Sequence, residues 1–114
     1  MSNIRKKTKM PPQAIDFEEA VLGAIMIDKN AMAEIGDILS PEVFYKDAHK
    51  DIYMVLEGLF QEGEPIDTLM VTSKLKQNKK LKLCGGPHYL AELTNRVISS
   101  ENIEYHARII VQKH

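Results

Sequence analysis

The chain holds no tryptophan, one cysteine and no long apolar run, and each shortage removes a class of protein. A lone Cys84 excludes an internal disulfide framework and fits a reducing cytoplasm, the expected location. The longest apolar run, Ala24-Ile25-Met26-Ile27, falls far short of the ~20 residues a membrane-spanning helix needs. From Met1 to Met10 apolar residues are too scarce for a secretory signal. Strand-length alternation, hairpin dipeptides and a repeat of fixed period are all missing, which leaves helix as the expected element.

What remains is an ordinary globular composition, 44% hydrophobic and 27% charged over 114 residues. That length suits one domain with one modest core. The net charge of −1 conceals a segregation along the chain. Residues 1–13 carry +4, residues 14–67 carry −10, residues 68–91 carry +5, and the remainder balances. Either the acidic and basic stretches neutralise each other within one domain, or they meet between neighbouring subunits.

The first 13 residues, with Arg5, Lys6, Lys7 and Lys9 ahead of Pro11-Pro12, read as a flexible basic leader. Six helices are expected after it. Asp16 is placed to cap the first, in which Phe17, Val21, Ala24 and Ile25 recur at helical spacing. Ala31, Ile35, Ile38 and Leu39 share one side of a second. Ser40-Pro41 begins a brief turn through Phe44. Asp47 is expected to cap the third, whose apolar stripe is Ala48, Ile52, Val55, Leu56, Leu59 and Phe60. Asp67 caps a fourth from Thr68 to about Asn78. Gly85-Gly86-Pro87 breaks the chain before a fifth, with Tyr89, Leu90, Leu93 and Val97 inward. Ser99 is expected to cap a sixth that runs to His114 without a stop signal, as though the chain were the front part of something longer.

Few residues suggest chemistry. Gly85-Gly86 lacks the Lys-Ser/Thr of a phosphate-binding loop and reads as a backbone turn. Cys84 and His88 stand four apart but have no second ligand pair, so a buried thiol beside a surface imidazole is expected, not zinc. His49, between Asp47 and Asp51, has no nominated nucleophile and reads as a hydrogen-bonded residue joining two layers. His106 reads as a half-buried ring, and the six methionines as core filler. No catalytic or metal residue is assigned.

Five motifs in register resemble the N-terminal domain of DnaB-type replicative DNA helicases. They are Pro12-Gln13 with Glu18 and Ala20-Val21-Leu22-Gly23-Ala24; Pro41-Glu42-Val43-Phe44-Tyr45 with His49; Gly63-Glu64-Pro65-Ile66-Asp67; Gly85-Gly86-Pro87-His88-Tyr89-Leu90 with Leu93; and Asn102-Ile103-Glu104-Tyr105 with Ala107-Arg108-Ile109-Ile110. Cys84 and Lys79-Lys80-Leu81-Lys82 depart from the more acidic, Gly-containing approach common before the Gly-Gly turn.

The resemblance implies an all-α fold, a compact orthogonal bundle of about six short helices with the last truncated at the C-terminus. Residues 14–114 would form the collar domain of a ring-shaped hexamer assembled as a trimer of dimers. The ATPase domain, with ATP and magnesium and the main DNA contacts, would lie in an absent C-terminal part, so no cofactor is expected here. Implied partners are other copies of the chain, the helicase-binding domain of primase and a helicase loader; no membrane is implied. Tyr105 and Ile109, off the line of Ile103, Ala107 and Ile110, either face a partner or fill the core. Tyr89 matches a position near the primase-contacting surface of the family, and also suits core packing. A stand-alone helical nucleic-acid-binding module, using the leader and the lysines of residues 68–91, is the alternative.

Overall fold

The first helix begins at a proline. In the computed structural model, which describes residues 12–97 and 100–114, α1 spans Pro12–Ile27. Proline suits a first turn, because its missing N–H would have had no intrahelical partner there. The expected leader therefore ends earlier than Gln13, and Asp16 lies inside the helix instead of capping it. Residues 1–11 of that leader, and the Ser99 cap, lie outside the described residues.

Five further helices follow: α2 (Ala31–Ile35), α3 (Asp47–Gln61), α4 (Thr68–Gln77), α5 (Gly86–Asn95) and α6 (Ile103–Lys113). A 3-10 turn at Pro41–Val43 separates α2 from α3, where Ser40-Pro41 predicts one. The second helix stops at Ile35, with Gly36 as its cap, so Leu39 reaches the core from the following turn. Asp67 accepts a hydrogen bond from the Met70 N–H at 2.8 Å and caps α4 as expected. No strand occurs among the described residues, and the all-helical reading holds.

The core centres on α1, which packs against α3, α5 and α6. Val21, Leu22 and Ile25 are fully buried on it. The approach of α5 is close enough to demand Gly23, since a Cβ there would stand 2.2 Å from the Leu93 carbonyl oxygen and 2.6 Å from Val97 Cγ2. On α3 the inner face is Ile52, Tyr53, Val55, Leu56 and Leu59. Tyr53 replaces Phe60 in the expected stripe. Its ring is buried against Phe44 at 5.1 Å between centroids, while Phe60 falls on the outer side and is exposed. Burial, and then the charge of Glu57, pushes the Tyr53 hydroxyl up to about 12.

Candidate functional site

Two buried polar side chains sit in this apolar interior. Glu18 of α1 and His49 of α3 are both fully buried, and Glu18 Oε1 lies 2.7 Å from His49 Nδ1. A buried carboxylate needs several donors. Glu18 also accepts the Tyr45 N–H at 2.7 Å through Oε2, and the Lys46 N–H at 3.5 Å through Oε1. Those amides stand at the N-terminus of α3, where Lys46 provides no side-chain cap and Asp47 is already the first helical residue. The cap expected from Asp47 is not made; a carboxylate from another helix instead holds the two amides that lead into α3, near the positive pole of its dipole.

The network continues to the surface. His49 Nε2 lies 2.7 Å from the Tyr89 hydroxyl, and that hydroxyl donates to Glu19 Oε2 at 2.8 Å. Arg96 pairs with Glu19 and lies 3.8 Å from Asp16. His49 thus bridges two helices, with Glu18 of α1 on one ring nitrogen and Tyr89 of α5 on the other. Burial, and then the hydrogen bond to Glu19, raises the Tyr89 hydroxyl well above its ordinary range. Lys46 Nζ stands 4.9 Å over the Tyr89 ring.

Gly85 sets the ring in place. Its φ of +96° lies in the left-handed region, and a Cβ there would meet Tyr89 Cβ at 2.7 Å. Gly86 follows with φ +75°, so the pair is a turn, as its sequence suggests. The layer-joining reading of His49 also holds. Sequence reasoning missed Glu18 as the hub, although a signal existed: it stands four residues from both Ala14 and Leu22, on the buried face of α1.

The sequence-derived candidates fall in two places. Tyr89 is half-buried in the α5 layer, with its hydroxyl held by the network. Tyr105 and Ile109 share the outer side of α6, whose inner line of Ile103, Ala107 and Ile110 is buried. Tyr105 is 67% exposed and Ile109 half-buried, so the reading in which both lines fill the core fails for Tyr105. The Glu104–Arg108 pair flanks this face. His106 is half-buried against Phe17 at 5.2 Å. Cys84 is buried with its Sγ donating to the Ala48 carbonyl, whereas His88 is exposed and paired with Glu92.

Among the described residues no group of three or more His, Cys, Asp or Glu side chains is arranged to hold a metal ion. No helix among them is long and apolar enough to cross a membrane.

Comparison with known proteins agrees with this geometry. Residues 10–112 match the family model of the DnaB-like helicase N terminal domain. The chain is 44% identical over 105 residues to the replicative DNA helicase DnaB of Rhodothermus marinus, covering 92% of this chain and 11% of that protein. It is 41% identical to the DnaB of Geobacillus stearothermophilus, covering 92% and 23%. The chain thus spans a quarter or less of the length of these relatives. The crystal structure of the N-terminal domain of DnaB helicase from Mycobacterium tuberculosis superimposes with a TM-score of 0.86 at 35% identity, over 91% of this chain and 75% of that one. A DnaB-like replicative helicase, described together with its interactions with primase, superimposes with a TM-score of 0.74 at 29% identity, over 84% and 22%. Fold, motifs and matches agree: the chain belongs to the DnaB-like helicase N-terminal domain family.

Proposed function

We propose that this domain is the assembly and primase-docking module of a hexameric, ATP-dependent replicative DNA helicase working in the cytoplasm. The observation that carries the reading is α6, with one line buried in the core and Tyr105 and Ile109 left on the outer side. Such a face suits pairing with another copy of the domain within a ring. The relative described with primase supports docking of the primase helicase-binding domain on the same collar. ATP, magnesium and the main DNA contacts belong to the motor part of the longer protein, on which a helicase loader also acts. The residues here position and hold, and carry none of the chemistry.

Sedimentation velocity tests the docking half. This chain is run alone and mixed with the C-terminal domain of its cognate primase. A faster joint boundary at micromolar concentration is the expected result, and two independent boundaries overturn it.

A further inference from the structure

We infer that the lysines at the end of α4 and in the loop after it form a sequence-independent contact surface for single-stranded DNA. Lys76, Lys79 and Lys82 gather with Leu81, Gly86 and Pro87 around a shallow depression of about 400 Å³. All three lysines are exposed. The neighbouring Lys80 is tied to Asp51 at 3.9 Å, but among the described residues none of the three has a carboxylate at ion-pairing distance. No acid occurs in residues 68–91, so nothing within this stretch neutralises them.

Folding requirements account for Lys76 but not for Lys79 or Lys82. Lys74 and Lys76 complement the negative end of the α4 dipole. Lys79 and Lys82 lie past the helix. Lys79 has a φ of +61°, in the left-handed region where glycine is the usual occupant. The surrounding bonds are those of a helix-ending turn: Lys80 N–H to the Leu75 carbonyl at 2.8 Å and Lys79 N–H to the Lys76 carbonyl at 3.1 Å. A lysine here bears backbone strain that no internal ion pair offsets, which points to a use for its charge.

Flexible ammonium groups are point charges that suit phosphates without demanding a fixed geometry. No Phe, Tyr or Trp occurs between Thr68 and His88 to stack on bases, so binding is to the backbone and blind to sequence. The choice of DNA over an acidic polypeptide rests on the family, whose relatives are DNA helicases. The surface is separate from the α6 face: α4 packs on α3 and α5, and α6 packs on α1 and α2. DNA contact and pairing through α6 can therefore fail independently.

The test is fluorescence anisotropy of a labelled oligothymidylate with this chain, from low to moderate salt. The variant Lys76→Gln/Lys79→Gln/Lys82→Gln is expected to lose about tenfold in affinity at low salt, with the slope of log K against log salt reduced by about 2. A control removing equal charge elsewhere, Lys29→Gln/Lys50→Gln/Lys113→Gln, is expected to change affinity by no more than about twofold. Equal losses in both variants, or no binding by the unsubstituted chain at low salt, overturn the inference. Displacement of the DNA by oligoglutamate of matched charge also overturns it, by assigning the surface to an acidic polypeptide.

Discussion

Glu18 and His49, 31 residues apart in sequence, meet at 2.7 Å with neither side chain exposed. One carboxylate thereby holds the two amides that lead into α3 and ties that helix to α1. Removing its charge leaves the buried His49 ring and two backbone amides poorly served. Glu18→Gln is expected to cost about 3–5 kcal/mol of stability, measured by urea unfolding. A cost below about 1 kcal/mol would show that the pair is dispensable.

Burial, then Asp51, pushes the Cys84 thiol up to about 11, against a smaller opposite effect of Lys80. With so little thiolate, Cys84 should react with a thiol reagent at pH 8 only when the chain unfolds. Labelling in urea should be fast and labelling in native buffer slow. Equal rates would place the thiol at the surface.

Asp28 accepts from the Ser100 hydroxyl and from the Asn30 N–H, and these bonds hold its carboxyl below the ordinary 3.8, the Ser100 bond most. A depressed folded value stabilises above the unfolded value, and the gain is lost as pH falls through the folded one. Ser100→Ala should therefore be less stable than the parent near neutrality, with the two stability curves converging as pH falls below 3.8. A gap that persists to low pH would contradict this.

Lys79→Gly relieves the left-handed lysine and should raise stability by up to about 1 kcal/mol, read by chemical denaturation. The same variant should bind oligothymidylate less well. Opposite signs in the two assays are the expected signature, whereas a loss of stability would mean that the side chain packs usefully.

Much of this fold was legible in the sequence because its punctuation is local. Asp67, Ser40-Pro41 and Gly85-Gly86-Pro87 mark ends that depend only on near neighbours, and the structure keeps them. The misplaced residues answer to distant partners. Asp47 looks like the cap of α3, but it is the first helical residue, and the amides before it are held by Glu18, 28 residues before Lys46. Tyr53 looks amphipathic by type, yet the ring of Phe44 covers it. The α6 face was half legible: spacing separated Tyr105 and Ile109 from the inner line, but only packing against α1 and α2 decided which line is inside. The Tyr89–Glu19–Arg96 part of the network had no sequence signal, because it joins α1 to α5 across about 70 residues.

The most direct measurement of the central claim is sedimentation of the longer protein carrying Tyr105→Ala or Ile109→Asp, beside circular dichroism and thermal melting of this domain with the same changes. The account predicts weakened ring assembly with helicity and melting temperature nearly unchanged. Melting of the domain by Tyr105→Ala, or full assembly by both variants, would contradict it.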